Sequence, residues 1–130
     1  MEPTPIDHKA NLKAICEQIK DALSLDIDKD SPDELMGKLQ VLTTMLGTIS
    51  HAISLANMIY SQKLMELTQA NEYRNLSATD KKMVFAGKAR TEGYYVDMTA
   101  KLSSSLVHTI DGIRSILSYK KQEMSNLPSR

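Results

Sequence analysis

A chain of 130 residues with a 42% hydrophobic fraction suits one ordinary domain that builds its core without disulfides or metal. Its 16 basic and 16 acidic side chains cancel, but residues 1–73 carry 6 basic and 11 acidic groups and residues 74–130 carry 10 and 5. The halves are therefore oppositely charged, and a basic surface for an acidic partner is expected on the second half. The lone cysteine, Cys16, excludes an intrachain disulfide or a cysteine-rich zinc site and fits a reducing compartment.

The opening residues Met1 to Ala10 lack the apolar run of a secretion signal, and no stretch reads as the ~18 uncharged apolar residues of a membrane span. A soluble cytoplasmic protein with no membrane partner is expected, as a single all-α domain over residues 1–130. Thr4-Pro5-Ile6-Asp7 predicts the first helix, over residues 5–25: Thr4 can cap, Pro5 suits the first helical position, and Asp7 favours the positive end. Leu12, Ile15, Cys16, Ile19, Ala22 and Leu23 make one apolar face, on which Cys16 reads as a small hydrophobe rather than a reactive thiol.

Ser31-Pro32-Asp33-Glu34 predicts the second helix, with Ser31 accepting from the Glu34 amide while the Glu34 carboxylate reaches back. The helix is expected over residues 32–73. Its apolar stripe, Leu35, Leu39, Leu42, Leu46, Ile49, Ile53, Ala56 and Tyr60, steps by four and three as a long buried seam requires. Beyond Tyr60 the seam continues through Leu64 and Leu67 with an extra four-residue step, a stutter that relaxes left-handed supercoiling. A second stripe, Met45, Ala52, Leu55 and Ile59, predicts that the middle of this helix touches two neighbours.

Arg74-Asn75-Leu76 reads as a break, and Ser77 with Asp80 three residues on opens a third helix, over residues 78–124. Its stripe is Tyr95, Met98, Leu102, Leu106, Ile110, Ile113 and Leu117, and Gly93 is the expected place for a kink. The short turn makes the second and third helices antiparallel, with positions summing to about 151 face to face. The fold expected is a long antiparallel helical hairpin with the shorter first helix packed on its base, beside residues 32–55 and 100–120. The distal half, residues 60–95, then projects as two helices. There Tyr60, Leu64, Leu67, Tyr73, Met83, Phe85, Tyr94 and Tyr95 form the expected partner or oligomer interface, since exposed apolar patches of that extent mark interaction surfaces.

Little catalytic chemistry is legible. Asp26, Asp28 and Asp30 occupy the first, third and fifth positions of a calcium loop, but Ser31 stands where glycine belongs and Gly37 where the bidentate glutamate belongs. His8, His51 and His108 follow Pro5, Thr48 and Ser105 at three residues' spacing, so the Glu-x-x-His pairs of di-iron bundles do not occur. There is no phosphate-cradling glycine loop and no nucleophile elbow. No catalytic residue, metal or cofactor is assigned, and the chain is expected not to be an enzyme. Lys81, Lys82, Lys88, Arg90 and Lys101 form a face that could follow the phosphates of a single-stranded nucleic acid, although Asp80, Glu92 and Asp97 interrupt it.

The stretch from Tyr73 to Met124, with Leu76-Ser77 opening a helix, Lys88-Ala89 within it and Ile113-Arg114-Ser115-Ile116-Leu117-Ser118-Tyr119-Lys120 before Glu123-Met124, resembles small all-helical proteins encoded by phages and prophages. The resemblance covers about 40% of the chain and transfers no catalytic residue. It implies an accessory protein of the bacterial cytoplasm. The leading expectation is a homo-oligomer that binds itself or another protein. The alternatives are an accessory to nucleic-acid recombination or replication, and an anti-defence protein holding a nucleotide signal or a host protein between subunits.

Overall fold

The computed structural model describes residues 5–126, and they fold as α1 (His8–Leu23), α2 (Pro32–Gln69), α3 (Ala78–Lys88) and α4 (Arg90–Ser125), with a 3-10 turn over Asn71–Tyr73 between α2 and α3. No strand occurs among the described residues. The architecture is the expected one: α2 and α4 form the long antiparallel pair, and α1 packs against both. With 38 residues, α2 is about 57 Å long, so the hairpin is far longer than its width.

The ends of the helices follow local chemistry, with some departures from expectation. Thr4 lies outside the described residues, and α1 is capped by Asp7, whose carboxylate accepts from the Ala10 amide at 3.0 Å. Pro5 and Ile6 precede the helix rather than opening it, because the short Asp7 side chain satisfies a free amide of the first turn from one position outside. Ser31 caps α2 by accepting from Glu34 N at 3.3 Å, as the sequence requires. Glu34 does not complete the reciprocal bond to Ser31. Its carboxylate accepts from Asp28 N at 3.1 Å, while Ser31 N donates to the Asp28 carbonyl at 3.0 Å, so both bonds tie the entry loop to the helix start. Ser77 caps α3 through Asp80 N at 3.1 Å.

Two helices are shorter than their apolar patterns suggest. α2 stops at Gln69 because Ala70 turns extended, and the expected last turn becomes the separate 3-10 turn that brings Tyr73 edge-on to Phe85, with ring centroids 5.6 Å apart. The expected third helix is two helices, interrupted at Ala89, whose φ of −101° and ψ of 21° leave the helical basin. Gly93 is not the kink. It stays inside α4, donating to the Ala89 carbonyl at 2.9 Å. A Cβ built there would sit 3.6 Å from Tyr60 Cε2, an ordinary contact, so nothing at this position requires glycine.

Both stripes of α2 are used. Leu35, Leu42, Ile49 and Ala56 are buried from the first stripe, and Met45, Ala52, Leu55 and Ile59 from the second, as a helix with two neighbours requires. α1 contributes Leu12, Cys16, Ile19 and Ala22 to the same core, and α4 contributes Tyr95, Leu102, Leu106, Ile110 and Ile113. Burying each large aliphatic side chain is worth about 1.5–3 kcal/mol, so this single continuous core is what holds the helices together. The contact of residue 60 with residue 93, and the Lys120–Asp30 ion pair at 3.8 Å, place the hairpin within about two residues of the expected register.

α1 sits further along the hairpin than expected. Lys38 Nζ donates to the carbonyls of Leu23 and Leu25 at 3.0 and 2.8 Å, fastening the C-terminal end of α1 near the start of α2. The other end of α1 lies beside Ile59, Gln62, Lys63, Glu66 and Glu92. The helix thus covers part of the segment expected to project bare. The expectation that no stretch reads as a membrane span also fails for α2, which is long and apolar enough to cross one by length and composition. Its best 18-residue window has a mean hydropathy of 1.3, with 33% of it buried in the fold. The physical reason is that Thr, Ser, Asn and Gln break the apolar run without contributing charge: no Asp, Glu, Lys or Arg lies between Lys38 and Lys63.

Candidate functional site

Two regions stand out against this frame, and only one was legible in the sequence. The legible one is the distal end, built from the last turns of α2, the 3-10 turn, α3 and the first turns of α4. Its residues divide sharply. Leu67 and Tyr95 are buried inside the chain, and Tyr60 and Leu64 are half-buried, with Tyr60 lying against Gly93. Tyr73 and Phe85 are half-buried and spend their ring edges on each other. Met83 and Tyr94 face solvent at 71% and 58% exposure, and Met65 joins them at 61%. Tyr94 also stands edge-on to Tyr95, with centroids 5.8 Å apart, so the exposed ring is braced by a core ring.

α3 has eleven residues, carries Met83, Val84 and Phe85, and buries none of its side chains. A helix of this length is marginal in water by itself, because too few hydrogen bonds follow its costly nucleation. Within the chain it is held by the Ser77 cap, the Phe85 contact with Tyr73 and continuity through Ala89, which is 1% exposed. Of the basic face, Lys81 is half-buried while Lys82, Lys88, Arg90 and Lys101 are exposed. None of the five pairs with a carboxylate among the described residues. The break at Ala89 separates them: Lys81, Lys82 and Lys88 belong to α3, and Arg90 and Lys101 to α4.

The second region is a cleft of about 510 Å³ lined by Ile6, Asp7, His8 and Lys9 from the α1 end, by Ile59, Gln62, Lys63 and Glu66 from α2, and by Glu92. Glu92 is the single charged side chain buried among the described residues, 4% exposed, and Lys9 Nζ donates to its Oε1 at 3.1 Å. Burial by itself would push the Glu92 carboxyl up. Its own backbone N–H, the Lys9 bond and charge, and the charge of Lys63 outweigh that and hold it below the usual glutamate range. Three residues beyond the break, Glu92 also lies in the first turn of α4, where the helix dipole favours an anion.

In the sequence Lys9 lies outside the apolar face of the first helix, and Glu92 reads only as an interruption of the basic face. Its one available signal was a carboxylate at the position where a helix start accepts one, and that signal depends on knowing that a helix starts at Arg90. The pair fastens the start of α1 to the start of α4, and no group of three or more His, Cys, Asp or Glu among the described residues is placed to hold a metal ion. Cys16 is buried at 1% exposure, and burial pushes its thiol above the ordinary value, with Lys20 opposing and Glu17 adding to the shift. Set beside known proteins, the chain matches no protein-family model, no curated protein and no solved structure.

Proposed function

We propose that this chain is a non-catalytic helical interaction protein that self-associates, a phage or prophage accessory protein of the bacterial cytoplasm. The observation that carries the reading is α3, a whole helix that buries none of its residues within the chain and exposes Met83, with Met65 and Tyr94 as further exposed apolar side chains of the distal end. A helix too short to be stable alone gains most from a surface that covers it, and a second copy of the same chain is the partner always at hand. Light scattering over a concentration series is expected to show an oligomer, and Met83→Glu combined with Tyr94→Glu is expected to lower its mass without loss of helicity. Both positions are solvent-facing, so the fold tolerates them. A chain that stays monomeric at about 100 μM, as a complex of only mM affinity would, removes the reading.

A second reading has its own observation, the exposed Lys82, Lys88, Arg90 and Lys101, which pair with no carboxylate among the described residues. Such a surface suits the phosphates of a single-stranded nucleic acid, with Tyr94 available for stacking. Binding of this kind weakens steeply with salt, so a gel shift at low ionic strength that disappears with added salt is its signature. The absence of any shift at low salt ends it.

A further inference from the structure

We propose that the cleft between the start of α1 and the distal turns of α2 binds a small organic carboxylate, its charged head between Lys9 and Lys63 and its apolar body along Ile6 and Ile59. This surface is separate from α3, Met83 and Tyr94, so self-association is not a condition for it.

The walls follow from helix geometry. On α2, Ile59, Gln62, Lys63 and Glu66 recur at the three- and four-residue spacing that sets side chains on one stripe, and this stripe faces the start of α1 across a space of about 510 Å³. Small-molecule sites commonly enclose about 300–1,000 Å³. Glu92 closes the cleft from α4. Of the two isoleucines lining it, Ile59 is already buried while Ile6 is 69% exposed. A ligand with an apolar body takes Ile6 out of water, which nothing in the described chain does.

The charges inside do not balance. Lys9 Nζ gives one N–H to Glu92 Oε1 at 3.1 Å and has two more to give. Lys63 is half-buried in the cleft and pairs with no carboxylate among the described residues. Burial opposes the charge on Glu92, and its own backbone N–H with Lys9 and Lys63 overcomes that opposition, whereas Asp7 and Glu66 do not act on it. Those two carboxylates are exposed, and Asp7 already accepts from the Ala10 amide at 3.0 Å. Around Glu92, then, two ammonium groups stand against one carboxylate in a place partly shielded from water. One more carboxylate completes an alternating set of Glu92, Lys9, ligand and Lys63, joined by charge-assisted hydrogen bonds.

The same imbalance selects the ligand. An incoming cation meets two ammonium groups and has to compete with Lys9 for Glu92, and no group of three or more His, Cys, Asp or Glu among the described residues is placed to hold a metal ion. A phosphate monoester carries about −1.5 to −2 at neutral pH, which exceeds the single positive charge left over and sets the surplus against Glu92 and Glu66. A monocarboxylate matches it.

Hexanoate is the probe, titrated into the isotope-labelled full chain with amide NMR shifts as the readout. Saturable shifts are expected at residues 6–10, at Gln62 to Glu66 and around Glu92, with a millimolar Kd, as so small a ligand allows. Lys63→Gln is expected to weaken binding about tenfold with the helices intact, and Lys63→Arg, which keeps the charge, to retain it. Glu66→Gln is expected to tighten binding about twofold by removing an exposed like charge. An undiminished affinity in Lys63→Gln overturns the site, as does hexylamine binding as tightly as hexanoate. Hexyl phosphate binding more tightly than hexanoate overturns the ligand class, and acetate binding equally well removes the apolar half of the site. No saturable shift with hexanoate ends the proposal outright. Each outcome is readable in a monomeric or an associated chain, so failure here leaves self-association untouched.

Discussion

Lys9 and Glu92 are 83 positions apart, and no local pattern announces that they meet. The two partners are unequal, since the Lys9 side chain is 55% exposed and that of Glu92 6%. Removing the lysine therefore strands a buried carboxylate, whereas removing the glutamate releases a lysine to water. Lys9→Met is expected to cost about 1–3 kcal/mol of stability, Glu92→Leu less, and the double variant to recover most of the loss. Chemical denaturation of the four proteins closes the cycle. The carboxyl of Glu92 is held below its ordinary value in the folded chain, so its contribution is present above the unfolded value and is lost as pH falls through the folded one. Acid titration should show wild type losing more stability below the ordinary glutamate range than Glu92→Gln does. Equal acid sensitivity of the two proteins would contradict the assignment.

Among the elements, what was legible was whatever rests on neighbours in the chain. Ser31 and Ser77 cap where their sequence says they should, and Ser31→Ala is expected to cost about 1 kcal/mol in thermal unfolding. The seams of α2 and α4 were readable because a step of three or four residues is a geometric consequence of the helix itself. Breaks were less so. Ala70 and Ala89 are good helix formers, and each interrupts a helix where tertiary contacts prevail over propensity: one lets Tyr73 reach Phe85, the other is nearly fully buried at the bend. Gly93 attracted the kink on propensity alone, yet it is helical and stands at ordinary contact distance from Tyr60. Gly93→Ala is therefore expected to raise stability by about 0.5–1 kcal/mol, read as a higher melting temperature. Amide exchange should find α3 the least protected helix at low concentration, with protection rising as the chain associates.

For the molecule as a whole, the antiparallel pairing of α2 and α4 was legible from the break at Arg74-Asn75-Leu76, although the structure joins the two helices through the 3-10 turn and α3 rather than through one short turn. The seat of α1 did not follow, since an amphipathic helix fits many stretches of a long apolar groove. Its position is chosen by particular polar ties, Lys9 with Glu92 at one end and Lys38 with the Leu23 and Leu25 carbonyls at the other. The candidate surface was legible only in outline for a related reason. Periodicity tells which side chains are apolar, but whether Leu67 and Tyr95 turn inward while Met83 and Tyr94 turn outward depends on the bend at Ala89. Cys16 lies midway along α1, between those ties, and is closed off by the same docking. The chain thus carries a built-in stopwatch for the release of its first helix. The rate at which an aromatic disulfide reagent colours on meeting that thiol should rise severalfold in Lys9→Met and in Lys38→Met, and in neither if α1 stays seated without them.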